Sequence, residues 1–205
     1  MIVDTLVVGD IGANCYVIYE EGAKGAILID PGADGEYILN HAVGKGLKIE
    51  AVFLTHGHFD HVLALPYIKE KTLAPVMIHE NDAVYLTDPR MSMIPPEILA
   101  RIAKPDRILK NGDSAVFAGL TIKVLHTPGH TPGSCCYIIG GHMFTGDTLF
   151  AGGIGRTDLP GSNDQEMRRS LSLLNSLDKD YIIMPGHGQS STLFREKGFL
   201  DVLGD

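Results

Sequence analysis

Four potential metal-ligating side chains fall within six residues, in the run His56-x-His58-x-Asp60-His61, directly after the apolar stretch IEAVFL at 49–54. That stretch reads as a buried strand. Extended backbone sends alternate side chains the same way, so His56, His58 and Asp60 can converge while His61 turns to a neighbouring point. One short loop at a strand end can thus feed two adjacent cations. A fold that uses this run must bring further donors to the same strand end. Four donor residues in six positions after a strand describe a site better than a set of solvated histidines.

The rest of the chain supplies strands and helices in an order that permits this. Strand signals, apolar runs closed by Gly or Pro, lie at 3–9, 14–19 and 26–30, and again at 74–79 (APVMIH). Helical periodicity is predicted over 35–43 and 62–73, with Pro66 in the first turns of the second. Pro89, Pro95, Pro96 and Pro105 mark a less regular middle. From Arg107 short strands dominate (RIL, SAVFA, LTIKVLH, SCCYIIG, GHMFTGD), the last two separated by the hairpin signal Gly140-Gly141. A helix over 164–177 follows, with Ser162 to Asp164 as capping candidates and Met167, Leu171, Leu174 and Leu177 as its apolar stripe. Tyr181 to Met184 is a last strand, ended by Pro185-Gly186-His187-Gly188. Two halves with this shared rhythm point to an α+β chain, two sheets packed face to face with helices outside, an αββα sandwich. At 205 residues with 44% apolar and 20% charged content, one domain over 1–205 is expected.

Three more donors stand in glycine-bearing loops after predicted strands: His130, Asp147 and His187. Singly, each reads as an ordinary polar residue of a turn. Their order along the chain joins them to the first four. Five histidines and two aspartates suit two divalent ions, zinc first, with iron or manganese accepted by the same donors. A metal pair about 3.5–4 Å apart can hold a hydroxide and polarise a carbonyl oxygen.

The other candidates carry less. His126 ends a strand and reads as a loop anchor or hydrogen-bond donor to the site; His41, His79 and His142 have no ligand neighbours in sequence. Asp30 in IDPG is placed either to orient a ligand histidine or to cap its turn. Cys135 and Cys136 open a strand as core residues, and adjacent cysteines form no disulfide framework. A net charge of −8 without a Lys/Arg block argues against nucleic acid, and no apolar run nears the roughly 20 residues of a membrane span. The start MIVDTLVVGD lacks a basic segment leading into an apolar one, so a cytoplasmic location is expected, with no membrane partner. Oligomeric state leaves no mark in the sequence.

Four motifs together, THGHFDH, HTPGHTPGS, FTGDTLF and MPGHG, resemble the metallo-β-lactamase superfamily, and within it the glyoxalase II-type hydrolases. The resemblance runs from Asn14 to about His187. It implies that His56, His58 and His130 bind one metal, that Asp60, His61 and His187 bind the other, and that Asp147 bridges them. In such enzymes a metal-bound hydroxide attacks a thioester carbonyl and a thiolate leaves, which makes Asp60 and Asp147 catalytic as well as ligating and a small-molecule thioester the substrate. Arg156, in GGIGRTD, stands where the family places a basic substrate-binding residue. True hydroxyacylglutathione hydrolases add a C-terminal helical domain, whereas only 189–205 follow His187 here, room for one short helix. The rival within the superfamily is an iron-dependent persulfide dioxygenase, which uses one metal held by residues matching His56, His130 and Asp147. β-Lactamase activity is disfavoured by Asp147, which stands where zinc β-lactamases carry a cysteine. Lactone hydrolysis and tRNA processing fit the donors too, with the acidic charge against tRNA. A non-catalytic module would require that no divalent metal bind.

Overall fold

The computed structural model describes residues 1–102 and 104–204, with side chains through 198. The first sheet runs β1 (Ile2–Val8), β2 (Ala13–Tyr19), β3 (Gly25–Ile29), β4 (Lys48–Phe53), β5 (Val76–His79), β6 (Arg107–Leu109), in that spatial order. β1 to β3 pair antiparallel and β3 to β6 parallel. The parallel connections place α1 (Gly35–Gly44) and α3 (Leu65–Thr72) on its outer face.

The second sheet contains β7 (Ser114–Phe117), β8 (Leu120–His126), β9 (Cys135–Ile139), β10 (His142–Gly146), β13 (Ile182–Pro185) and β14 (Ser191–Thr192), ordered β14-β13-β10-β9-β8-β7. Its one parallel pair is β10 with β13, bridged by α6 (Asp164–Asn175). Asn163 caps α6, its side chain accepting from the Glu166 amide at 3.0 Å. A small hairpin, β11 (Leu149–Phe150) with β12 (Gly153–Ile154), and α7 (Leu193–Gly204) complete the chain.

Layering follows from the two-residue period of strand side chains. Leu28 and Val52 face α1 and α3 in one apolar cluster, with Ile38 and Ile68. Their neighbours Ile27 and Phe53 face the other sheet, in a cluster with Tyr137 and Phe144. Met143 and Ile183 turn outward to Met167, Leu171 and Leu174 of α6. Three interfaces in sequence make four layers, helix, sheet, sheet, helix, as the alternating pattern predicts. β2 and β3 are buried along their whole length, so both faces are covered and the alternation gives way to continuous apolar runs.

The helix expected over 62–73 is broken. α2 (Phe59–Val62) is a single turn, the Ala64 amide leaves the helix to donate to Pro31 O at 3.1 Å, and α3 begins with Pro66 in its first turn. Proline has no N–H to give to a preceding turn, and it suits a helix start. The middle resolves into a 3-10 turn over Glu80–Leu86 and two single-turn helices, α4 (Pro89–Ser92) and α5 (Pro96–Leu99), each opened by proline.

Candidate metal centre

The loops after β4, β8, β10 and β13 meet at one edge of the sandwich. Two bonds between the sheets close this edge: Tyr137 Oη donates to Leu54 O at 2.6 Å, and the Cys135 amide donates to Thr55 O at 3.0 Å. Gly186 N–H donates to Gly146 O at 2.8 Å, so the Asp147 and His187 loops run side by side. Buried Asn14 at the start of β2 ties the last loop down, its Nδ2 donating to Pro185 O and Gly188 O, both at 2.9 Å.

All seven side chains singled out in the sequence come together at this edge. His56, His58 and His130 form one group whose nitrogens lie within 4.8 Å of one another, and Asp60, His61 and His187 form a second. His58 Nδ1 and His130 Nε2 are 2.9 Å apart, near the roughly 3.3 Å expected of two nitrogens on one tetrahedral zinc. Asp147 stands between the groups, with Oδ1 3.5 Å from His61 Nε2 and Oδ2 3.6 Å from both His130 Nε2 and His187 Nε2. Asp60 Oδ2 lies 3.2 Å from His187 Nε2.

Ring orientation is set from outside the cluster. His61 Nδ1 pairs with Asp30 Oδ2 at 3.0 Å, His130 Nδ1 donates to Arg156 O at 2.8 Å, and His56 Nδ1 meets Thr55 Oγ1 at 3.1 Å. Each contact leaves Nε2 free to face inward, the arrangement that metal-ligating histidines use. Asp30, His56 and His61 also lie close enough to form a third donor group. Asp30 is nevertheless spent: it accepts from the Thr55 amide at 2.7 Å and Thr55 Oγ1 at 2.6 Å besides His61. Of the two roles its sequence position allowed, it therefore takes that of orienting a histidine, His61, from a strained left-handed backbone at φ 52°.

Burial and charge agree with residues arranged to hold cations. Among the described residues, the buried side-chain atoms without a hydrogen-bond partner include His56 Nε2, His61 Nε2 and Asp147 Oδ1. Lone pairs so buried are costly unless something accepts them. Burial, then repulsion from His61 and the other rings, pushes His56 well below the ordinary histidine range. Burial, then His130, lowers His58 to about 3, so both are neutral donors. Burial also opposes charge on His61, but Asp147, Asp30 and Asp60 outweigh it and lift that ring to about 9. Against its own burial, contact with His187 holds Asp60 down at about 2. The donor set fits two divalent cations, the first site nitrogen-rich and the second mixed with oxygen.

A cavity of about 440 Å³ opens above the cluster. His58, Asp60, Asp147 and His187 form its floor, and Ile11, Phe59, Met93, Phe150, Ile154 and Leu159 supply apolar walls. Arg156 lies at the rim, its exposed guanidinium paired with Asp158 at 2.9 and 3.0 Å. His126 anchors the 127–134 loop through Pro132 O at 2.9 Å and stacks on His79, ring centroids 4.0 Å apart. His41 pairs with Asp4 at 2.8 Å, away from the cluster. Cys135 and Cys136 are buried free thiols. Sequence reasoning missed Asn14 and a buried carboxylate, Asp82, beneath the loops. Neither has a local signal, because their partners are distant in sequence.

A family model described as the metallo-beta-lactamase superfamily matches residues 8–187. The chain is 36% identical over 197 residues to the probable metallo-hydrolase YqgX of Bacillus subtilis, covering 93% of this chain and 92% of that one. It is 35% identical over 192 residues to the hydroxyacylglutathione hydrolase GloC of Haemophilus influenzae, covering 90% and 89%. Among solved structures it is similar to the BLEG-1 B3 metallo-beta-lactamase, with TM-score 0.88, 33% identity, and 97% and 99% of the two chains covered. A di-iron-bound form of TTHA1623 gives 0.79 at 35% identity, covering 95% and 96%. ETHE1 from Myxococcus xanthus gives 0.83 at 28% identity, covering 100% and 85%.

Proposed function

From a chain that belongs to the metallo-beta-lactamase superfamily, we propose a metallohydrolase that cleaves small acyl-thioesters in the manner of glyoxalase II, as one domain in the cytoplasm. The observation that carries this reading is the pair of three-donor groups with Asp147 between them. His56, His58 and His130 would hold one divalent cation and Asp60, His61 and His187 the other, with Asp147 shared. When bound, such a pair supplies a water acidified toward neutral pH and a Lewis acid for the carbonyl oxygen. Zinc is the expected metal; the di-iron neighbour makes iron the competitor.

The chain's own residues orient and exclude. The Ile11, Phe59, Met93, Phe150, Ile154 and Leu159 walls hold the body of a small substrate and keep bulk water from the floor. Asp60, ionised at neutral pH, sets Oδ2 3.2 Å from His187 Nε2, its neighbour in the second donor group. Arg156 would exchange its exposed Asp158 partner for a substrate carboxylate, since water screens an exposed pair of this kind and leaves it weak. The 35% identity to GloC supports a thioester. Net charge −8 opposes a nucleic-acid partner, and among the described residues no helix is long and apolar enough to cross a membrane.

A second reading, an iron-dependent persulfide dioxygenase, draws on the ETHE1 neighbour and on the presence of His56, His130 and Asp147. The test offers S-D-lactoylglutathione and glutathione persulfide to purified protein, with metal analysis and an oxygen electrode. Thioester cleavage without oxygen uptake is expected. Oxygen consumption with persulfide, on a single iron, overturns the hydrolase. The B3 neighbour adds a β-lactam to the panel, and cleavage of that substrate alone would overturn the thioester.

A further inference from the structure

Asp30 serves both donor groups, His61 directly and His56 through Thr55 Oγ1, but the remaining ligands are held by different parts of the fold. His61 is oriented by Asp30, and the His187 loop is tied by Asn14. Neither contact reaches His58 or His130, whose loops meet over the 3-10 turn Glu80–Leu86.

We propose that Asp82 is a positioning residue that fixes the His56–His58 loop against the His130 loop, and through that spacing sets the cation affinity of the first donor group alone. Its Oδ2 accepts from the Gly57 amide at 2.9 Å, between His56 and His58, and from Thr131 Oγ1 at 2.7 Å, next to His130. Its Oδ1 accepts from the Gly133 amide at 2.6 Å. One carboxylate therefore clamps both loops, across 25, 49 and 51 positions of sequence. Asp82 is fully buried, and these donors, two backbone amides and a hydroxyl, are all neutral.

Burying a carboxylate with only neutral donors is expensive, and desolvation lifts Asp82 to about 6 against the pull of Thr131, Gly133 and Gly57. A core position optimised for stability alone would carry an apolar side chain. The packing is equally specific: a Cβ on Gly133 would lie 2.6 Å from Asp82 Oδ1, so the loop approaches as closely as a residue without a side chain allows. Backbone amides that flank ligands move with them. A shift of either loop changes the distance between His58 Nδ1 and His130 Nε2, now 2.9 Å. Asp60, His61, Asp147 and His187 receive no bond from Asp82, so the second group is left with its own supports.

This inference rests on the two-cation reading, and the experiment separates the two. Chelator-stripped wild type, Asp82→Asn and Asp30→Asn are titrated with Co²⁺, following binding by competition with a chromophoric chelator and by the visible spectrum, with thermal melts as a fold control. Wild type should bind two equivalents. Asp82→Asn keeps the volume but offers an N–H where an acceptor is needed; it should retain one equivalent at wild-type affinity and weaken the other about 10–100-fold. Asp30→Asn, which loosens His61 directly and His56 through Thr55, should weaken both equivalents and so shows the unselective pattern against which Asp82→Asn is read. If Asp82→Asn does not fold, Thr131→Val, which removes one donor and keeps the carboxylate, should weaken the same equivalent several-fold. Two equivalents at unchanged affinity in a folded Asp82→Asn, or both weakened alike, overturn the proposal. A wild type that binds one cation overturns the two-cation reading instead, and Asp82 then stands only if Asp82→Asn weakens that cation. Binding of none overturns both.

Discussion

Gly57 sits between two proposed ligands with its back against the 3-10 turn, and Gly57→Ala is the smallest change that tests how tightly that loop is set. The added methyl would fall inside contact distance of Tyr85 Cβ, 2.9 Å from Tyr85 Cγ and 3.4 Å from Asp82 O. Carbon pairs prefer about 3.5–4.0 Å. Tyr85 is fully buried and its hydroxyl donates to Pro160 O at 3.1 Å, so the ring has little freedom to retreat. The loop must therefore rise by about 1 Å. Overpacking of this kind costs about 1–3 kcal/mol, a melting temperature lower by roughly 2–12 °C for a chain of this size. Misplacing reacting groups by 1 Å costs about 100-fold in rate. The assay pairs kcat/KM on the best thioester with a melt and metal analysis of the same preparation. A Gly57→Ala protein within twofold of wild-type kcat/KM, with an unchanged melt, would refute the claim that the turn sets the loop.

Other perturbations reach other parts of the centre. Asn14→Ala removes two hydrogen bonds, to Pro185 O, which keeps Tyr16 Oη as a donor, and to Gly188 O, and should cost about 1–3 kcal/mol; a denaturant midpoint equal to wild type would contradict it. His58→Ala and Asp147→Ala should each abolish turnover while circular dichroism keeps the folded signature, because the sandwich core lies apart from the ions; near-full activity in either would remove that residue from the site. Burial, then repulsion from the stacked His126, holds His79 at about 4, below the ordinary 6.5. The unfolded chain binds this proton more readily, so the stability His79 contributes is complete above pH 6.5 and lost as pH falls toward 4, by up to ~3 kcal/mol. His79→Phe should flatten that part of the pH–melting curve, and an unchanged slope would show that His79 is not its source.

The fold was legible because apolar periodicity is local. LTIKVLH at 120–126 alternates buried and outward residues as one strand, and the cap of α6, Asn163, falls among the candidates Ser162 to Asp164. The four-layer arrangement followed from the alternation of such segments. The pair β11 and β12 escaped notice because strands of two residues have no period to show. The His56–His61 run was legible for the same local reason, and the order of His130, Asp147 and His187 along the chain led to residues that meet in space. What the sequence hid was the scaffold around them. Asp82 reaches amides 25 and 51 positions away, and Asn14 reaches carbonyls 171 and 174 positions away. No spacing rule links such partners, since only the tertiary fold makes them neighbours. Arg156 showed a free cation in sequence and a cation engaged by Asp158 in space, two positions on.

The account as a whole depends on seven side chains from four loops acting as one holder for two ions. Elemental analysis of the protein reconstituted with zinc or iron after chelation, read as ions per chain with His58→Ala and His187→Ala alongside, tests this directly. Two per chain in wild type and one in each variant is the predicted result. Wild-type protein that takes up fewer than two ions per chain, or variants that retain both, would contradict it.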